Sequence, residues 1–183
     1  MTKVLILGAN GKIAKLAQAQ LLAQTDHQLT LFLRHADRLE VQDPARETVV
    51  EGDATDQASL EKTMKGQDIV YANLGNHDIE LQAKTVVAAM KTTGLKRLIW
   101  ISTLGIYDEV PGKYGQWNHQ MLDGGYLETY AAAAKVIEAS GLDYTIVRPA
   151  WLSNKDIVSY ETTQKGEPFK GTEVSRKSIA DFV

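Results

Sequence analysis

Residues 4–14 read Val4-Leu5-Ile6-Leu7-Gly8-Ala9-Asn10-Gly11-Lys12-Ile13-Ala14. An apolar run enters a turn with a glycine at each end, and a small residue follows the second glycine by three. The first glycine lets a strand turn sharply. The second leaves room for a pyrophosphate at the backbone, and the small third residue lets the next helix lie close to the strand. Ile13, Leu16, Ala17 and Leu21 recur at helical spacing, so a strand–turn–helix unit is predicted, with the helical pattern beginning at Ala14. A helix opening here offers unpaired N–H groups and a positive dipole end to phosphates. The spacing G-x-x-G-x-x-A is looser than G-x-G-x-x-G and also fits an ordinary packing junction. Its place between a strand and a helix favours a dinucleotide-binding turn, with Gly8, Asn10, Gly11, Lys12 and Ile13 at the phosphates.

Beyond that unit, strands and helices alternate. Strands are predicted at Leu29–Leu33, Thr48–Glu51, Asp68–Asn73, Arg97–Ser102 and Asp143–Val147. Asp56 can cap a helix that runs to Met64, with Ala58, Leu60 and Met64 apolar. A helix over Ile79–Thr93 carries Ile79, Ala83, Val86, Val87 and Met90 on one face and stops at Gly94, as a C-terminal glycine would stop it. A long helix spans about 125–140 before Gly141, and Ser175–Val183 reads as a helix start with Ile179, Phe182 and Val183 apolar. This order predicts a doubly wound, mostly parallel sheet in a three-layer α/β/α (Rossmann) arrangement, with residues 1–183 as one domain. The longest irregular stretches, 103–124 and 150–174, follow strands, where open α/β sheets bind ligands.

With 183 residues, 44% of them hydrophobic and 23% charged, the chain has an ordinary globular composition. A net charge of −3 argues against general affinity for nucleic acid or anionic membrane. There is no cysteine, which excludes disulfides, thiolate metal sites and cysteine nucleophiles. His27, His35, His77 and His119 show no metal-ligand spacing. The N-terminus has no signal-peptide pattern and no apolar run reaches membrane length, so a cytoplasmic location is expected. The apolar residues near the C-terminus leave a homodimer open.

A carboxylate at the tip of the second strand would bond the adenosine ribose and select NAD. Here the strand ends Leu33-Arg34-His35, with Arg38 close behind and no acid at the tip. Arginine grips a 2′-phosphate through charge-assisted hydrogen bonds, so NADP (as NADPH) is expected, the alternative being that Arg34 and Arg38 are solvated surface charges. Gly52-Asp53-Ala54 after the third strand and Asn73-Leu74-Gly75 after the fourth fit the same cofactor, although each alone is turn chemistry.

Together these residues resemble the atypical short-chain dehydrogenase/reductases, and within them the NAD(P)-binding, NmrA-like group that includes biliverdin-IXβ/flavin reductase. The marks are Leu-Gly-Ala-Asn-Gly at 7–11, Leu-Arg at 33–34, Gly-Asp-Ala at 52–54, Asn-Leu-Gly at 73–75, Ile-Ser-Thr at 101–103 and Ser-Gly-Leu-Asp-Tyr-Thr-Ile-Val-Arg-Pro at 140–149. The resemblance implies that Asp53 and Ala54 lie by the adenine and that Asn73, Leu74 and Gly75 pass along the ribose. It places Ser102 and Thr103 near the nicotinamide and makes Pro149 to Leu152 the start of a loop that closes over it.

Such proteins usually carry Tyr-x-x-x-Lys on the long helix. The tyrosine moves a proton to or from substrate, and the lysine lowers its pKa and holds the nicotinamide ribose. Counted back from Ser140-Gly141, this pair falls on Tyr126 and Tyr130: the lysine is missing. Lys135 does not replace it, because at about 100° per residue it lies about 140° around the helix from Tyr130. Tyr126 can donate a hydrogen bond but is a poor relay without a cation. Tyr130 also fits the apolar stripe Tyr126, Leu127, Tyr130, Ala134, Ile137 as a packing residue. The catalytic set expected is therefore Ser102, Thr103 and Tyr126. Tyr107, Tyr114, Trp117 and Trp151 offer flat walls for a planar small-molecule acceptor such as a flavin or quinone, and His119 is a possible proton donor. The expected function is an NADPH-dependent oxidoreductase. A non-catalytic NADP-binding sensor is the alternative, and a sugar-nucleotide epimerase is disfavoured because the chain is short for a substrate lobe.

Overall fold

The computed structural model describes residues 1–183. Strands β1 (Lys3–Leu7), β2 (Gln28–Leu33), β3 (Glu47–Glu51), β4 (Ile69–Ala72), β5 (Arg97–Ile101) and β6 (Asp143–Val147) form one parallel sheet in the order β3-β2-β1-β4-β5-β6. The helices are α1 (Lys12–Gln24), α2 (Gln57–Met64), α3 (Ile79–Thr93), α4 (Gly112–Leu122), α5 (Tyr126–Glu138) and α6 (Arg176–Phe182). The chain runs outward from β1 through β2 to β3, then returns to place β4 on the other side of β1. The reversal opens a crevice at the carboxyl ends of β1 and β4.

The apolar run of β1 is continuous because both of its faces are covered. Leu5 and Leu7 point into one core with Val70, Trp100 and residues of α2, α3 and α5. Val4 and Ile6 point into the other with Leu29, Leu31, Ile13 of α1 and Ile179 of α6. Gly94 ends α3 at φ +76, donating to the Lys91 and Met90 carbonyls, as the sequence predicts. Asp56 caps α2 by accepting from the Ser59 amide at 3.2 Å.

Several details depart from the sequence reading. α1 begins at Lys12, two residues before Ala14. Leu16 is 39% exposed, and the buried stripe of α1 is Ile13, Ala14, Ala17 and Gln18. The stretch 103–124 contains α4. The stretch 150–174 is bounded by two three-residue strands, β7 (Trp151–Ser153) and β8 (Glu173–Ser175), which pair in parallel apart from the main sheet. A cavity of about 610 Å³ runs beside β6 under residues 159–171 and does not touch the turn after β1. No helix is long and apolar enough to cross a membrane.

Candidate functional site

The turn after β1 is built so that some of its amides are spent and others are left over. The Gly8 and Ala9 amides donate to the Phe32 carbonyl at 2.9 and 3.3 Å, and the Gly11 amide donates to the Gly8 carbonyl at 2.9 Å. The amides of Asn10, Lys12, Ile13 and Ala14 have no partner in the chain, and no side chain caps α1. Clustered free donors at a helix N-terminus favour an anion. The expectation that the whole segment clasps phosphate is thus narrowed to those four amides. The Ile13 side chain is in the core, so only its amide faces the turn, whereas the Lys12 side chain is exposed.

Gly8 and Gly11 have separate reasons to be glycine. Gly8 sits at φ +74, and a β-carbon there would meet the Asn73 carbonyl oxygen at 2.3 Å. Gly11 has an ordinary backbone, φ −64, but a β-carbon would lie 2.0 Å from the Asn73 side-chain nitrogen. The loop after β4 is therefore pressed against the turn after β1. Two glutamines hold these loops. Gln18, wholly buried on α1, donates from Nε2 to the Ala9 carbonyl at 2.6 Å. Gln82 on α3 donates from Nε2 to the Gly75 carbonyl at 3.0 Å and to Asp78 at 2.8 Å. The sequence reading missed both. Their signal was a glutamine on an otherwise apolar helical face.

The two loops wall a groove of about 290 Å³ that brings together Gly8, Asn10, Gly11, Asp53, Ala54, Asn73, Leu74 and Gly75. Arg34, His35 and Arg38 line its β2–β3 end. His35 takes φ +57, which turns the chain at the tip of β2. Arg34 lies 3.9 Å from Asp53, with both side chains about half exposed. Hydrogen bonds from the Thr55 amide and hydroxyl, with Arg34 beside them, hold the Asp53 carboxyl below its ordinary range. The groove therefore carries cationic groups and one fixed carboxylate at one end and free amides in the middle, which fits a phosphorylated dinucleotide.

Ser102, Thr103, Tyr126 and Pro149 do not line that groove. Ser102 and Thr103 are buried at the end of β5, and the Ser102 hydroxyl is sealed without a partner. The β5–β6 pairing continues past both strands: the Ser102 amide donates to Val147 at 2.7 Å and the Leu104 amide to Pro149 at 3.2 Å. Tyr126 is 45% exposed and stacks on buried Tyr130 with ring centroids 4.5 Å apart. Burial, then the neighbouring Tyr126 hydroxyl, pushes the Tyr130 phenol above its ordinary pKa. Lys135 is exposed, as its helical angle predicts.

Of the expected aromatic walls, Tyr114, Trp117 and Trp151 come together. The first two stack at 5.8 Å, and Trp117 meets Trp151 at 4.7 Å. Asn118 accepts the Trp151 indole N–H at 3.0 Å. Tyr107 does not join them. Its hydroxyl donates to Glu138 at 2.5 Å, and its ring lies under Arg148 and Lys165. His119 is not a free proton donor either, because its ring nitrogens contact Asp108 and Asp123, each at 2.9 Å. Two carboxylate acceptors require the doubly protonated ring, and both raise its pKa. The sequence reading also missed the buried pair Arg148–Glu109, 2.8 Å apart with side chains 8% and 4% exposed. The Glu109 carboxylate also accepts the Gly105 and Tyr107 amides, so the pair ties the end of β6 to the loop after β5.

A family model described as NAD(P)H-binding matches residues 8–183. The chain belongs to that family. Proteins of known structure share its frame. A Rossmann-fold NAD(P)-binding family protein from Shigella flexneri is 44% identical with a TM-score of 0.85, over 100% of this chain and 84% of that one. A short-chain dehydrogenase/reductase from Veillonella parvula, solved in complex with NADP, is 30% identical with a TM-score of 0.92, over 99% of this chain and 84% of that one. The uncharacterised sugar epimerase YhfK of Bacillus subtilis is 27% identical over 165 residues, 84% of this chain and 73% of the relative. The resemblance to atypical short-chain dehydrogenase/reductases therefore holds, and the chain has the fold of an NAD(P)H-binding oxidoreductase.

Proposed function

We propose that this NAD(P)H-binding protein is an NADPH-dependent oxidoreductase that reduces a small planar acceptor. The observation that carries the NADPH reading is the pair Arg34 and Arg38 lining the same groove as the glycine turn. The four free amides at the start of α1 take the diphosphate, and the arginines take the 2′-phosphate. Asp53 stays ionised beside Arg34 and contacts the adenine side. When bound, a reduced nicotinamide supplies a hydride, and a proton from solvent completes reduction of the acceptor.

The protein's own part is to orient the acceptor and exclude water. The cluster of Tyr114, Trp117 and Trp151 lies on the segments that follow β5 and β6, and Trp117 is 40% exposed. Flat rings on the acceptor side suit a flavin or quinone. Incubating the protein with NADPH and a panel of flavins and quinones, while following absorbance loss, tests this reading. Turnover on at least one acceptor is expected.

One observation favours a second reading. Position 130 is a tyrosine and Lys135 faces solvent, so no lysine stands beside Tyr126. A redox sensor of the NmrA-like type would bind NADPH and turn over none of the acceptors. In the reductase reading, Tyr126→Phe lowers the rate only modestly, since solvent supplies the proton.

A further inference from the structure

Asn118 is one of the two buried residues of α4, and it is wholly buried. The Trp151 indole N–H donates to it at 3.0 Å. An indole nitrogen can only donate, so Oδ1 of Asn118 faces the indole and Nδ2 points away from it. That Nδ2 is sealed without a partner. It lies against the loop after β5, where a β-carbon on Gly105 would come within 2.6 Å of it. Gly105 is itself held: its amide donates to Glu109 at 3.0 Å, and Glu109 pairs with Arg148. Three segments therefore meet at one side chain: the loop after β5, α4 and the chain after β6.

A buried amide with an idle N–H end costs stability. Leucine has nearly the same shape and would fill the space without that cost. What leucine cannot do is accept the indole N–H, so the asparagine is there for what its oxygen holds. An indole swings broadly about its χ2 bond unless its edge is held. The orientation of the Trp151 ring is passed on, because Trp117 leans on it at 4.7 Å and 47°, and Tyr114 stacks on Trp117 at 5.8 Å and 19°. The Trp151 amide and the Tyr114 hydroxyl both donate to the Thr172 carbonyl, at 3.2 and 2.6 Å. Neither bond sets the plane of the Trp151 indole; the bond to Asn118 does.

We propose that Asn118 is a positioning residue for the acceptor: by fixing the plane of the Trp151 indole, it sets the aromatic face on which a flavin or quinone stacks. Asn118 is wholly buried and touches neither acceptor nor cofactor. Its effect falls on acceptor binding and spares the dinucleotide groove, which it does not line. This role rests on the reductase reading above, with the aromatic cluster as the acceptor's seat.

Steady-state kinetics with NADPH and, in turn, FMN and menadione test the assignment in wild type, Asn118→Leu, Trp151→Phe and the double variant. Loss of one neutral hydrogen bond raises the acceptor KM of Asn118→Leu about three- to tenfold. The loss falls on that KM rather than on kcat, and the KM for NADPH keeps its wild-type value. Trp151→Phe retains a flat ring without the N–H. Its acceptor KM rises as well, and adding Asn118→Leu raises it no further. An acceptor KM in Asn118→Leu equal to that of wild type overturns the proposal. Equal rises in both KM values also overturn it, because the effect is then on the fold, and so do effects that multiply in the double variant. Should Asn118→Leu not fold, Trp151→Phe decides: a raised acceptor KM with unchanged KM for NADPH supports the role, and wild-type values overturn it. If wild type turns over neither FMN nor menadione, the reductase reading falls and this role with it. If wild type turns over either one and Asn118→Leu matches it, only the assignment of Asn118 falls.

Discussion

Alanine at Gly8 and alanine at Gly11 separate what the glycine turn does for the fold from what it does for the cofactor. At Gly8 the backbone is left-handed, and a non-glycine residue there costs about 1–3 kcal/mol before any clash. The new β-carbon also lies 2.3 Å from the Asn73 carbonyl oxygen, which is backbone and is held by the Asn73 amide donating to the Leu7 carbonyl at 2.9 Å. At roughly 2–4 °C per kcal/mol for a chain of this size, the backbone strain alone makes Gly8→Ala lower the melting temperature by about 2–12 °C. At Gly11 the backbone is unstrained, and the atom in the way, 2.0 Å off, is the Asn73 side-chain amide, which can rotate aside. Replacing an N-cap glycine costs up to about 1 kcal/mol, so the melting temperature falls by no more than about 4 °C. The methyl group and the displaced amide both stand where the diphosphate reaches the free amides. Gly11→Ala therefore weakens NADPH by about tenfold or more, 1.4 kcal/mol being a factor of ten. Thermal unfolding and calorimetric titration of both variants give the two numbers. A Gly11→Ala protein that binds NADPH as wild type does would refute the placement of the diphosphate at this turn.

Other consequences are open to direct measurement. Arg34→Ala weakens NADPH about tenfold and leaves NADH nearly unchanged, because a charge-assisted bond of about 1.5–3 kcal/mol is diluted at an exposed site. Equal loss for both cofactors removes Arg34 from the 2′-phosphate. Arg148→Met leaves Glu109 buried without its cation and destabilises the protein by about 3–5 kcal/mol. Arg148→Met combined with Glu109→Gln recovers only part of that loss, because the Gly105 and Tyr107 amides use both carboxylate oxygens and one is left facing an NH2, as a double-mutant cycle by denaturant unfolding would show. His119 has a raised pKa between Asp108 and Asp123, so its stabilisation is full below the unfolded value of about 6.5 and is lost as pH rises through the folded value. The site is partly exposed, so the melting temperature falls by no more than about 4 °C across that window. His119→Gln flattens this fall, and an unchanged pH profile in the variant would contradict it.

How far the sequence could be read depended on the length and regularity of each signal. β1 and β4 carry nearly continuous apolar runs, β2, β3, β5 and β6 shorter apolar stretches flanked or broken by polar residues, and α3 a full helical stripe closed by Gly94, and these were legible. α4 was not. Its stripe is interrupted by Gly112, Gly115 and Asn118, and Gly115 is glycine because a β-carbon would strike the Val110 carbonyl at 1.9 Å. That contact is tertiary and leaves no periodicity. β7 and β8 have three residues each, too few for alternation to show. Within the site, the residues that follow strand ends were legible because strand ends set their place: Gly8, Arg34, Asp53 and Asn73 all reach one groove. The supports behind them were not. Arg148 and Glu109 are 39 residues apart, and Tyr107 meets Glu138 across 31. Such partners depend on how loops fold over the sheet. Tyr107 was read as a free group for the same reason, whereas His119 was so read because α4, which brings Asp123 to it at i+4, was not legible.

NADPH binding depends most on the unpartnered amides of Asn10, Lys12, Ile13 and Ala14 receiving its diphosphate. Backbone amide chemical shifts, followed by NMR as NADPH is added, test this at the atoms concerned. Saturable shifts at those four amides, at most small ones at the already bonded Gly8 and Ala9 amides, and weaker effects with NADH are predicted. Binding that leaves all four amides unmoved, or no binding up to millimolar NADPH, would contradict it.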